Sequence, residues 1–317
     1  MFATHTVYNH TLAGNCPWTG KEQLSMRHLK NNNVLVPIAV LIVAMFCFQL
    51  GAVMAKGLFP VVGAAGTTAL RMALASLILL VVWRPWRLRL KLGEMRVIVM
   101  YGLAMGCMNF FFYLSLRSIP LGIAVALEFA GPLALAMAAS RRAIDFVWIL
   151  MAALGLLALL PMGFGSKPLD TMGVVYGLAA GLFWALYIYF GRKAGAAHGG
   201  QTTALGMVVG AIVIVPIGVA EAGAHLLSPA ILPAAFGVAL LSSAVPYSLE
   251  MMAMPRLPTR TVGVLMSLDP ALGALSGLCF LGERLSWIQW AAIASIMAAS
   301  AGSAATSRDA APQLLPD

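Results

Sequence analysis

Four side chains that can carry a charge stand inside long apolar runs: Arg71, Glu128, Glu250 and Asp269. A charge at the centre of a hydrocarbon layer costs about 2.5–3.5 kcal/mol, so such a group tends to face other protein and to have a task. A buried carboxylate can hold an ammonium group or a proton. The planar fork of Arg71 can clamp a carboxylate through parallel hydrogen bonds. Plainer roles stand beside these. Arg71 could snorkel to the surface or pair with Glu128. Glu250, three residues from the end of its apolar run, is better placed to pair with Arg256 at the surface. Asp269 could cap or brace the helix beside Pro270. Asn109 and Tyr113 lie one helical turn apart and face the same way. Gly173, Gly177 and Gly181 form a small-residue stripe leading to Trp184 and Tyr187. Such stripes usually mean helix packing, with a substrate path as the alternative. Pro246 and Tyr247 mark a bent, polar stretch just before Glu250, and Gln49 is a weaker candidate.

Two segments must position these groups. In residues 120–132, Pro120 opens a helix and Pro132 falls inside it, where its missing N–H leaves the carbonyl of Glu128 without its i+4 donor. Gly131 lets a neighbour approach closely. The Pro-x11-Pro spacing returns 138 residues later at Pro258 and Pro270, which predicts a pair of related functional helices. Asp269 matches Glu128 by helix but not by position, since Glu128 aligns with Met266 and Asp269 with Gly131.

Of the 317 residues, 61% are hydrophobic and 10% charged. A soluble domain would carry about a quarter charged residues, so the chain reads as an all-α polytopic membrane protein. The net charge of +9 does not indicate nucleic acid, because the basic residues lie in short loops between apolar segments. Cys47, Cys107 and Cys279 fall inside apolar segments and none of the four cysteines belongs to a CxxC, so neither a disulfide framework nor a zinc site is expected. All five histidines (His5, His10, His28, His198 and His225) lie in tails or loops, and no HExxH, GxSxG or paired-aspartate signature occurs. Neither an enzyme nor a cofactor is expected. A channel filter has no matching signal.

Ten apolar segments follow a polar tail: 34–55, 66–83, 95–116, 120–139, 146–165, 173–191, 202–220, 231–253, 261–281 and 286–304. Each is near the ~20 residues that cross a bilayer as a helix, and the runs are too continuously apolar for barrel strands. With the N-terminus in the cytoplasm, fifteen Lys and Arg fall inside, against four outside: Lys56, Arg117, Lys167 and Arg284. Both termini are then cytoplasmic. The paired Pro-x11-Pro helices divide the ten into two five-helix halves, 34–165 and 173–304, which must be inverted because five is odd. Residues 1–33 read as a polar cytoplasmic tail, with translation from Met26 as an alternative, and 305–317 as a second tail. Trp83, Trp86 and Trp287 read as interfacial anchors.

Several stretches carry a resemblance: residues 120–132, 140–148, 244–252, 256–261 and the Leu-Gly-Glu ending at Glu283. The chain resembles the EamA family of the drug/metabolite transporter superfamily, over about residues 34–304. The runs around Glu128 and Glu250 look specific to its bacterial amino-acid exporters. The resemblance implies export of threonine and homoserine across the inner membrane, driven by the proton motive force. Export of another amino acid, metabolite or amphipathic drug is the alternative. The partners implied are an amino acid, protons and the bilayer, in a monomer or homodimer. A zwitterionic substrate needs one group for its ammonium, one for its carboxylate and a polar partner for its hydroxyl. Glu128 takes the ammonium or coupling-proton role in this reading.

Overall fold

The computed structural model describes residues 20–88, 90–138, 143–159, 169–195 and 199–306, and among them no strand occurs. Of the residues named from the sequence, His5, His10, Lys167 and His198 lie outside the described residues, as do Arg89, Arg141, Arg142 and Arg308 among the fifteen basic residues assigned to the cytoplasmic side. Contacts divide the chain into Met1–Val36, helical where described, and Pro37–Asp317, which holds the site.

The first helical stretch, α1 (Gly20–Trp83), breaks at Gly63, whose φ of 68° suits a residue without a β-carbon. The apolar pattern predicts an end at 55 and a restart at 66. The helix instead continues through Pro60, because a single glycine suffices to turn the chain. There follow α2 (Leu92–Leu116), α3 (Leu121–Ala138), α4 (Ala143–Leu159), α5 (Thr171–Gly195) and α6 (Gly199–Ala222). The segment predicted as one span over 231–253 is α7 (Leu232–Ala239), a π turn (Leu240–Ala244) and α8 (Val245–Ala253). The segment predicted over 261–281 is also divided, into α9 (Thr259–Met266) and α10 (Asp269–Leu281). Proline explains the difference between the two related helices. Pro132 lies inside α3, whereas Pro270 sits in the first turn of a new helix, where no N–H is required. The last helix is α11 (Trp287–Thr306).

Among the described residues, seven helical stretches are long and apolar enough to cross a membrane, the first being Leu35–Trp83 with its break inside. Two shorter apolar helices, Leu121–Leu135 and Phe146–Leu159, accompany them. The protein is a polytopic helical membrane protein. Phe146, Leu150, Leu154 and Leu157 on α4 and Leu178 and Leu182 on α5 are exposed, as lipid-facing side chains should be.

Helix α3 lies at the centre: every residue from Leu121 to Phe129 is buried, and α3 packs on α5 and α10. Helix α2 packs on α5 and α6, and α4 on α11. The start of α3 is fixed from outside the helix. Glu283 accepts the Leu121 N–H at 2.7 Å and forms an ion pair with Lys56 at 2.6 Å. The Leu-Gly-Glu sequence thus ties the end of α10 to α1 and satisfies an amide that α3 cannot satisfy itself. Asp170 does the same for α5, accepting the Gly173 N–H at 2.9 Å. The Ser118 hydroxyl and then that amide hold the Asp170 carboxyl below its ordinary value.

Candidate functional site

Arg71, in the part of α1 after Gly63, is buried, and its nearest partners come from the π turn. Its Nε donates to Ser243 Oγ at 2.8 Å and its Nη2 to the Ser242 carbonyl at 2.7 Å. That carbonyl is available for a reason legible in the chain. Pro246, four residues on, has no N–H to give it. The Val245 N–H donates instead to Leu240, five residues back, and the turn widens. Snorkelling of Arg71 is therefore excluded, since 4% of the residue is exposed. An Arg71–Glu128 ion pair does not form either; the described ion pair is Lys56–Glu283. The guanidinium lies over the Tyr113 ring, 5.0 Å from its centroid.

Glu128 occupies the buried face of α3, within electrostatic reach of Asp269 and Arg71. Its carboxylate makes no hydrogen bond among the described residues. Its backbone behaves as the sequence predicts. Pro132 frees the Glu128 carbonyl, and Gly181 of α5 packs against it. A β-carbon on Gly131 would collide with the Gly181 carbonyl, so the two helices meet backbone to backbone there. The stripe Gly173, Gly177 and Gly181 is a packing surface: it faces Ser118 and Ile119, then Leu127 and Ser115, then the Glu128 carbonyl. At its end Trp184 meets Phe129 edge-on at 5.6 Å, and Tyr187 stacks on Tyr101 at 4.8 Å.

Asp269 begins α10 and is buried, and Gln49 of α1 donates to its Oδ1 at 3.5 Å. The position at a helix N-terminus favours a negative charge. Asp269 does not act as the N-cap, which is Leu268. The expectation for Glu250 requires correction. It is 6% exposed and forms no ion pair with Arg256, which is exposed. Counting from the end of the apolar run put it near the surface. Helix α8 instead turns it inward, where it interacts with Asp269 and with Tyr101, Tyr187 and Tyr247. Tyr247 packs edge-on against Phe48 at 5.2 Å and has the Asn109 side chain beside its hydroxyl. Asn109 also donates to the Met105 carbonyl at 2.8 Å.

The structure therefore gathers Arg71, Tyr113, Glu128 and Asp269 in one buried electrostatic cluster, with Glu250 joined to it through Asp269. Tyr187 lies on the Glu250 side, Tyr247, with Asn109 beside it, has both Arg71 and Glu250 within electrostatic reach, and Trp184 lies against α3. Pro120 and Pro258 immediately precede α3 and α9. Ser242, Ser243 and Tyr101 were not legible as site residues. The signal for the serines was Pro246, which predicts a free carbonyl at position 242. No local pattern marks Tyr101, whose role depends on the α2–α5 register.

Comparison with known proteins shows what the chain is similar to. A profile of the EamA-like transporter family matches residues 171–304. The threonine/homoserine exporter RhtA of Salmonella typhimurium strain LT2 is 53% identical over 275 residues, 87% of this chain and 93% of that protein. The protein of the same name from Escherichia coli strain K12 is 51% identical over 280 residues, 88% and 95% of the two chains. One solved crystal structure of a protein shares the fold with a TM-score of 0.56 at 17% identity, covering 86% of this chain and 96% of that one.

Proposed function

Because this chain belongs to the EamA-like transporter family, we propose that it exports threonine and homoserine across the bacterial inner membrane in exchange for protons. The observation that carries the substrate is its likeness, along most of its length, to two exporters named for these amino acids. The buried cluster is chemically suited to the task. Arg71 supplies the positive charge a carboxylate requires, and Glu128 and Asp269 the negative charge an ammonium requires. A zwitterion bound between them loses its water and regains both charges' partners.

Ten membrane passes support alternation in this reading: the two sides of the Gly63 break, the six other long spans and the two shorter apolar helices. The first half is residues 34–165 and the second 173–304, inverted with respect to each other, with both termini in the cytoplasm. Glu128 is the exchange point. It holds the substrate ammonium on the outward stroke and a proton on the return, so that Glu128 itself carries no unpaired charge through hydrocarbon in either state. Glu250, within electrostatic reach of Asp269, and the tyrosines around Glu250 serve as an inner polar path for the proton. The π turn, the break at Ser267–Leu268 and the hydrogen bond that Pro132 removes inside α3 are the sites where the bundle can flex.

Overexpression tests the substrate assignment directly. Cells carrying the protein should tolerate several-fold higher threonine and homoserine than control cells, with no gain against unrelated amphipathic drugs. Resistance confined to drugs or to a different metabolite would assign the chain to another branch of the same family.

A further inference from the structure

Tyr113 is 1% exposed, and its hydroxyl is buried without a hydrogen-bond partner among the described residues. Removing a phenol from water without a partner costs roughly 1–3 kcal/mol, and buried polar groups are almost always satisfied. Its ring lies under the Arg71 guanidinium. A guanidinium has five N–H donors. Two are used, on Ser243 and Ser242, which leaves three. The pair therefore presents four unused donors, three N–H and the phenol O–H, whose oxygen can also accept, and Phe59 and Phe112 beside Tyr113 offer no acceptor.

We infer that Arg71 and Tyr113 together form the subsite for the substrate's carboxylate, and that Tyr113 makes the carrier prefer amino acids over amines that lack that group. An acceptor-only group satisfies both partners at once. A hydroxyl could satisfy the phenol but not a cation with three free N–H groups. An amino-acid zwitterion contains one anionic group, its carboxylate, and two oxygens let it bridge both. Arg71 is held for this by the π turn, which fixes one edge of the fork and leaves the other free. The ammonium then points to Glu128 and Asp269. In the conformation described the phenol is enclosed, so loading occurs when the bundle opens this region. This inference rests on the amino-acid export reading.

The test is Tyr113→Phe, examined as the full-length protein. Removing a hydroxyl that has no partner should leave the melting temperature without ligand unchanged or raised. Competition against labelled threonine in proteoliposomes then compares threonine with threoninol, which keeps the ammonium and hydroxyl but lacks the carboxylate. Wild type should prefer threonine. The variant should bind threonine roughly ten- to a hundredfold more weakly, the worth of a hydrogen bond to a charged group, with threoninol unchanged. An unchanged preference would overturn the inference. So would loss of folding, or equal weakening of both compounds, because the hydroxyl would then serve the structure. If wild type ignores threonine, other amino acids and their matching amino alcohols are compared by ligand-induced thermal shift. A preference for any acid that Tyr113→Phe removes preserves the subsite while refuting the substrate. No preference for any acid refutes both.

Discussion

Glu128→Gln should fold and insert normally yet fail to concentrate threonine, with export falling roughly ten- to a hundredfold and no longer responding to an imposed pH gradient. Glutamine keeps the shape of the protonated acid but can neither lose a proton nor pair an ammonium. The nearby charges sharpen the expectation. Arg71 and Asp269 are both within electrostatic reach of Glu128, so removing its charge alters the balance that alternation requires. Some energetically downhill exchange can continue through Arg71, Tyr113 and Asp269. Glu128→Asp retains the charge with a shorter reach, and part of the coupling should survive. Export by labelled-threonine efflux, at matched membrane abundance, checks both variants. Normal pH-dependent export by Glu128→Gln would make the residue a packing element and move the exchange point to Asp269 or Glu250.

Gly131→Ala should be the most damaging single-methyl change in the bundle. The added β-carbon would overlap the Gly181 carbonyl, which is backbone and cannot rotate away. The helices α3 and α5 must separate, and α3 also carries Glu128 and packs on α10. Overpacking of this kind costs about 1–3 kcal/mol or more. We expect a melting temperature lowered by several degrees and severely reduced export. Gly57→Ala is the control, because its β-carbon would meet nothing within 4 Å. Equal behaviour of the two variants would show that the close approach at Gly131 is not needed.

The most local features were the most legible in the sequence. Pro132 and Gly131 announce a free carbonyl and a close neighbour because both effects act within one helical turn, and the structure supplies Gly181 as that neighbour. The glycine stripe on α5 read correctly as packing for the same reason. The misreadings concern partners distant in sequence. Glu250 reads as a partner of Arg256 because it stands three residues from the end of its apolar run, but α8 turns it inward, toward Tyr101 of α2 and Tyr187 of α5. Arg71 finds Ser242 and Ser243 across 171 and 172 residues, a pairing that only the packed bundle defines. Pro246 could have revealed the acceptor but not its donor. Likewise Pro270 repeats the spacing of Pro132 while sitting at a helix start, since the chain has already broken at Ser267 and Leu268. Spacing alone does not say on which side of a proline the helix ends.

The central claim is that threonine export is paid for by proton return through the Glu128 cluster. Uptake of labelled threonine into proteoliposomes with an acidic lumen tests it most directly, because protons leaving down their gradient should drive threonine in. Accumulation above the external concentration, abolished by a protonophore and absent in Glu128→Gln, is the predicted result. Uptake that merely equilibrates, and does so equally with or without the pH gradient, would contradict it.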